Sequence, residues 1–224
     1  MSPTPDMDRI DAITSIASVV SEDDLFISSL GALRADWWNH RPGGPNGPDL
    51  CFWPVALGSV TPMALGLALA LPHRSVYALE TDGSVLMNTG VFCTLARQKP
   101  KNLTIIIFDN EMYESIGGIP SLTAFGCDLS KMASGAGCEN CETVWDAPSL
   151  KDCVDRFGHD DAFGLVTAKV SSAVYPWPNE KRKPTDGVED KYRFMRHVEA
   201  SEGRVVHRVE TIEHRAPAQR PSAV

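Results

Sequence analysis

No stretch of this 224-residue chain is apolar for long enough to cross a bilayer. The longest, around Pro62 to Leu71, falls well short of the roughly 20 residues a spanning helix needs. The N-terminus lacks the basic-then-apolar pattern of a secretion signal, so a cytoplasmic location is expected. Cysteine is sparse: six residues without regular spacing suit reduced thiols in a cytoplasm better than a disulfide scaffold. Positive charge is also short, with 21 Lys and Arg against 29 Asp and Glu, for a formal net charge of −8. The deficit lies in residues 1–180, which carry 22 acids and 11 bases, whereas residues 181–224 carry 7 and 10. An acidic body of this kind does not look like a nucleic-acid binder. No internal repeat is present. What remains is 43% apolar and 22% charged residues, ordinary values for one globular domain.

The periodicity predicts strands alternating with helices. Residues 7–20 place Ile10, Ile13, Ile16, Ala17 and Val20 on one helical face. Leu25–Ser28, Val76–Glu80, Leu103–Phe108 and Gly164–Val170 read as strands, and LTIIIF is the β-branched run of a strand buried on both faces. Helices are expected from Thr61-Pro62 onward (Thr61 as N-cap), over Met87–Gln98, and around Leu129–Ala136, Leu150–Phe157 and Glu189–Glu199. Residues 29–57, with three Gly and three Pro between 42 and 48, read as one long loop. The expected fold is therefore α/β, a mostly parallel sheet flanked by helices on both faces. Residues 1–175 would form the domain, 176–203 a linker and a C-terminal helix packing on it, and 204–224 a flexible tail.

The chemistry concentrates between Glu80 and Gly118. Asp82-Gly83-Ser84 falls where one strand ends and Asp109-Asn110 where the next ends, with 26 residues between Gly83 and Asn110. That is the length of a helical crossover between parallel strands, so Asp82 and Asn110 would emerge side by side at the carboxyl edge of the sheet. A carboxylate and an amide oxygen suit magnesium, which fills its remaining positions with phosphate oxygens and water. Gly83 permits close backbone approach, and the amides of Gly83 and Ser84 would cradle an anion. Taken singly, Asp-Gly is an ordinary turn and Asp-Asn an ordinary loop. Their order and spacing make the pair a candidate magnesium–diphosphate site.

The segment resembles the thiamine-diphosphate motif, which opens GDG and closes NN, with Thr81 and Asp109 replacing the first Gly and the first Asn. The resemblance implies metal ligation by Asp82, Asn110 and the backbone carbonyl of Met112. Gly58-Ser59-Val60-Thr61 is similar to the GSMG segment of thiamine-dependent decarboxylases, with Thr61 in place of Gly. There the residue at the position of Val60 wedges under the cofactor and bends it. Tyr113-Glu114-Ser115-Ile116-Gly117-Gly118 and the stretch from Lys183-Pro184 through Glu189, Lys191 and Arg193-Phe194-Met195-Arg196 resemble sulfopyruvate and phosphonopyruvate decarboxylases. The resemblance covers residues 7–200. It implies the beta, diphosphate-binding subunit, with cofactor contacts from Gly58, Ser59, Val60, Asp82, Gly83, Ser84, Asn110, Met112, Tyr113 and Glu114.

Thiamine catalysis also needs a glutamate on the aminopyrimidine, which in this superfamily comes from a separate domain across a subunit interface. The resemblance thus implies an alpha, pyrimidine-binding subunit, a dimer of heterodimers, and a decarboxylase acting on a small anionic 2-oxo acid with thiamine diphosphate and Mg2+. A carboligase subunit, or a non-catalytic subunit with a degenerate thiamine fold, are the alternatives. Cys138 and Cys141 have CxxC spacing, but no second pair completes a zinc or iron–sulfur set, and a small-hydrophobe role is the competing reading. The six His are scattered without ligand spacing. Arg34, His40 and Arg41 are candidate cations for the substrate, and Trp37, Trp38, Phe52 and Trp53 candidate interface or core anchors.

Overall fold

The structure, a computed structural model, describes residues 4–43, 50–51, 57–159, 162–171 and 187–205. Strands β1 (Leu25–Ser28), β2 (Leu50–Cys51), β3 (Val76–Thr81), β4 (Leu103–Asp109), β7 (Cys141–Val144) and β8 (Gly164–Lys169) form one parallel sheet. The order across it is β2-β1-β3-β4-β8-β7. Two short strands, β5 (Met112–Tyr113) and β6 (Ile119–Pro120), pair as a separate antiparallel hairpin. The helices are α1 (Arg9–Ala17), α2 (Ala32–His40), α3 (Val60–Ala70), α4 (Asp82–Val85), α5 (Val91–Gln98), α6 (Leu129–Gly135), α7 (Ala147–His159) and α8 (Gly187–Glu202).

The two-residue period of the strands divides the core between two faces. Leu25, Ile27, Val76, Ala78, Ile105, Ile107 and Leu165 pack with Leu65 of α3, Phe92 of α5, Leu129 of α6 and Phe194 of α8. Phe26, Tyr77, Leu79, Ile106, Phe108 and Val166 pack with Ile13 of α1, Trp37 of α2 and Phe157 of α7. Every residue of β4 is buried, as its uninterrupted apolar run requires. The doubly covered parallel sheet is the expected fold. Among the described residues no helix is long and apolar enough to cross a membrane.

Some local expectations change. The long loop contains α2, whose apolar face is narrow: Leu33 and Trp37 are buried, and polar residues around them blur the helical pattern. Thr61 is not an N-cap but the second residue of α3; Ser59 stands at the cap without a side-chain hydrogen bond. Strand β7 sits at the sheet edge, half exposed and only four residues long. The helix α8 lies against the domain through Phe194, through Arg34 Nη2 to Asp190 Oδ2 at 2.5 Å, and through Arg74 Nη1 to Glu202 Oε1 at 2.9 Å. Phe52, Trp53, the 176–184 segment and the residues after 205 lie outside the described residues.

Candidate active site

From β1 the chain moves outward to β2, then crosses back to β3 and β4, so the loops after β1 and β3 part in opposite directions. Open α/β sheets bind ligands at such a switch point, beyond the carboxyl ends of the strands. A cleft lies there. It is lined by Leu30, Ala32 and Leu33 after β1, Thr81 at the end of β3 with Gly83 and Ser84 beyond it, and Asn110, Met112, Tyr113 and Glu114 after β4. Leu57 and Arg9 close its sides.

Tyr113 leaves no room for a side chain at Gly83. A Cβ there would stand 2.6 Å from Tyr113 Cε1, so the aromatic ring and the turn occupy one another's space. Asp82, fully buried behind this turn, accepts from Ser121 Oγ at 2.5 Å and from Thr123 Oγ1 at 3.2 Å, both on Oδ2. Its Oδ1 has no hydrogen-bond partner among the described residues. Burial pushes the Asp82 carboxyl up to about 6; the nearby Asp109 carboxylate adds to this, while hydrogen bonds from Ser121, Gly83 and Thr123 oppose it. An orphaned carboxylate oxygen in so dry a place is costly unless a cation meets it. Asn110 lines the cleft beside it, its Oδ1 accepting from Met112 N at 3.2 Å. A carboxylate oxygen and a neighbouring amide oxygen are donors of the kind that magnesium takes.

Each of the three departures from the thiamine motif has a structural partner. Thr81 caps α4, its Oγ1 accepting from Ser84 N at 3.4 Å, so the Ser84 amide is already engaged, though by a long bond. Asp109 meets Lys169 Nζ at 2.8 Å and accepts from Thr123 Oγ1 at 2.7 Å. Burial tends to lower the pKa of Lys169, but Asp109 and Glu111 outweigh it and raise it. Thr61 gives both its amide (3.0 Å) and its hydroxyl (2.9 Å) to Glu80 Oε1. Glu80 is fully buried, and burial raises its pKa against the hydrogen bonds from Ser84 and Thr61.

Of the expected cofactor residues, the structure brings Gly83, Ser84, Asn110, Met112, Tyr113 and Glu114 to the cleft and sets Asp82 directly behind it. Gly58 touches the same turn, its amide donating to Ser84 Oγ at 3.0 Å, and its carbonyl accepts from Asn88 Nδ2 at 3.0 Å. Ser59 heads α3, and Val60 is buried in the core beneath it. The expected substrate cations lie elsewhere. Arg34 pairs with Asp190, His40 Nδ1 lies 2.8 Å from the Asp36 carbonyl, and buried Arg41 lies over the Phe26 ring. The cation that lines the cleft is Arg9, bound at 2.7 Å to both Asp36 and Glu114. Arg9, the Ser121–Thr123 pair and Lys169 come from three separate segments, and no local spacing in the sequence connects those segments.

Trp37 is a core residue, its ring tilted against that of Phe26 with centroids 4.7 Å apart. Four exposed apolar side chains, Ile116 (63%), Ile119 (54%), Leu122 (59%) and Phe125 (77%), fall in the segment following the cleft residues. Cys138 lies 3.4 Å from the Phe92 carbonyl and Cys141 3.5 Å from that of Glu139. Among the described residues no group of three or more His, Cys, Asp or Glu is placed to hold a metal.

Similarity to known proteins gives the chain's family. Residues 49–168 match the family described as thiamine pyrophosphate enzyme, C-terminal TPP binding domain. The chain is 30% identical over 196 residues to sulfopyruvate decarboxylase subunit beta of Methanocaldococcus jannaschii, covering 86% of this chain and 98% of that protein. It is 31% identical over 130 residues to phosphonopyruvate decarboxylase of Streptomyces viridochromogenes, covering 58% of this chain and 31% of that one. The thiamine diphosphate-dependent 4-hydroxybenzoylformate decarboxylase of Rhodococcus jostii RHA1 has the same fold, with a TM-score of 0.66, 20% identity, and coverage of 78% of this chain and 34% of that one. The chain belongs to the thiamine pyrophosphate enzymes, as a domain of their C-terminal, cofactor-binding type. Thiamine diphosphate is the cofactor that this membership implies.

Proposed function

We propose that the chain is the beta subunit of a thiamine-diphosphate-dependent 2-oxo-acid decarboxylase, converting a small anionic substrate of the 3-sulfopyruvate or 3-phosphonopyruvate type to an aldehyde and CO2. The observation that carries this is the cleft at the β1/β3 switch point, where Gly83, Asn110 and Tyr113 surround the turn that hides the orphaned oxygen of Asp82. The match to a sulfopyruvate decarboxylase beta subunit along 98% of its length supports the subunit reading.

Asp82, Asn110 and the Met112 carbonyl would hold Mg2+, and the turn at Gly83 and Ser84 would receive the diphosphate. Val60, at the start of α3, would support the bent cofactor. Once bound, thiamine diphosphate supplies the electron sink for loss of CO2. Arg9 keeps Glu114 in place at the cleft wall through its 2.7 Å ion pair. The glutamate that activates the aminopyrimidine would come from an alpha subunit, for which the exposed Ile116, Ile119, Leu122 and Phe125 beside the cleft form a fitting apolar surface. A cytoplasmic complex of two alpha and two beta chains is part of the same proposal. The partnered departures at Thr61, Thr81 and Asp109 favour a working site over a degenerate one.

The test is to combine the purified chain with a pyrimidine-domain subunit encoded beside it and to follow CO2 release from 3-sulfopyruvate and 3-phosphonopyruvate. Release from one of them only in the combined preparation supports the reading. Robust decarboxylation by the chain alone, shown by mass spectrometry to be free of partner, overturns it.

A further inference from the structure

The apolar face of β3 that packs against α3 carries Val76 and Ala78, and the next residue on that face is Glu80, a carboxylate with no exposed surface. A buried acid in a strand otherwise given over to packing calls for a physical reason. Its Oε1 accepts two hydrogen bonds from one residue, Thr61 N at 3.0 Å and Thr61 Oγ1 at 2.9 Å. Thr61 N is one of the amides that the first turn of α3 leaves without an intrahelical acceptor, and Ser59 at the cap position does not bond to it. The acceptor that a local cap would supply therefore comes from a strand 19 residues along the chain. The Glu80 carboxyl thus lies at the N-terminal end of the 11-residue helix α3.

The neighbouring contacts tighten the same joint. Gly58 N donates to Ser84 Oγ at 3.0 Å, and Asn88 Nδ2 donates to Gly58 O at 3.0 Å. Gly58 has φ +83°, and a Cβ on it would stand 2.8 Å from Asn88 Cβ, so this joint has no slack for a side chain. Residues 58–61 are thus fastened to the 80–88 segment at three points. Val60 lies within that span, two residues from Gly58 and next to Thr61.

We infer that Glu80 is a positioning residue: by accepting both donors of Thr61, it sets the start of α3, and with it Val60, against the turn at Asp82 and Gly83. The inference rests on the proposed thiamine-diphosphate site. It assigns a task to an acid with no surface on the cleft and to Thr61, the residue that departs from the GSMG pattern. A glycine at position 61 could offer Glu80 only the amide; threonine adds the hydroxyl.

The experiment uses the full chain and two probes, inorganic diphosphate with Mg2+ and thiamine diphosphate with Mg2+, titrated calorimetrically, together with hydrogen exchange of residues 59–64. Inorganic diphosphate reads only the Asp82–Asn110 half of the site. Glu80→Gln keeps an acceptor oxygen and is expected to bind both probes within about threefold of the parent. Glu80→Leu is expected to exchange at least tenfold faster over 59–64 and to bind thiamine diphosphate at least tenfold more weakly, with a clearly smaller loss for inorganic diphosphate, because Glu80 also accepts from Ser84. Thr61→Val removes only the hydroxyl donor and keeps the fold accessible should Glu80→Leu fail to fold. It should weaken thiamine diphosphate about threefold and leave inorganic diphosphate unchanged. Equal loss of both probes in either variant, or unchanged exchange and binding, overturns the positioning role. If the parent chain binds neither probe, the cofactor assignment fails, while slow exchange at 59–64 that depends on Glu80 would still report its hold on α3.

Discussion

Lys169 and Asp109 face each other across adjacent parallel strands, in register at the last rung of β4 and β8, with Nζ 2.8 Å from Oδ2. The pair explains how an aspartate can stand where the thiamine motif has asparagine, immediately before the amide side chain that faces the cleft. Asp109 is 1% exposed, and its carboxyl group meets this lysine and the donors Thr123 Oγ1 and Glu111 N.

Lys169→Met should therefore cost about 2–3 kcal/mol in urea unfolding, because it strands a buried carboxylate. Adding Asp109→Asn should recover most of that loss, since the amide needs no counter-charge. Two independent, additive losses would show that the pair is not coupled.

Asp82 sets a pH dependence whose sign is fixed by the direction of its shift. The folded carboxyl titrates at about 6, against an ordinary 3.8 in the unfolded chain, so the native state holds the proton more tightly between those values. The contribution of Asp82 to stability is thus fully present below about pH 4 and is lost as the pH rises through 6. Asp82→Asn should remove this fall and make the metal-free chain more stable at pH 7, by an amount on the order of 2–3 kcal/mol. Thermal unfolding of both proteins from pH 4 to pH 7.5 checks it; parallel curves would contradict the assignment.

Gly83→Ala places a methyl group 2.6 Å from the Tyr113 ring. The ring must move into the cleft, so affinity for thiamine diphosphate should fall at least tenfold while the circular dichroism spectrum stays native. Combining it with Tyr113→Leu should restore part of the affinity, because the leucine frees the space that the ring occupied.

Much of this fold is legible in the sequence because its central strands bury both faces. LTIIIFD in β4 and LFIS in β1 can hardly be anything else, and the turns at Asp82 and Asn110 follow from where those strands stop. The strand β7 escapes because an edge strand of four residues with one side half exposed leaves no continuous apolar run. The helix α2 escapes because Arg34, Asp36 and His40 interrupt its apolar stripe and a segment rich in Gly and Pro follows it. The start of α3 is misread at Thr61 because its acceptor, Glu80, lies on another element. The same reason hides the inner wall of the site: Ser121, Thr123, Lys169 and Arg9 act through contacts made only when distant segments fold together. Local patterns report the residues that a turn presents and not those that hold the turn.

The central claim is that the cleft beyond β3 and β4 holds the magnesium–diphosphate half of thiamine diphosphate through Asp82. The most direct measurement is calorimetric titration of thiamine diphosphate into the chain and into Asp82→Ala, each with Mg2+ and with excess chelator. The parent should bind only with Mg2+, and Asp82→Ala should not bind under either condition while keeping a native circular dichroism spectrum. Binding by Asp82→Ala with the parent's affinity, or binding by the parent that ignores the chelator, would contradict the account.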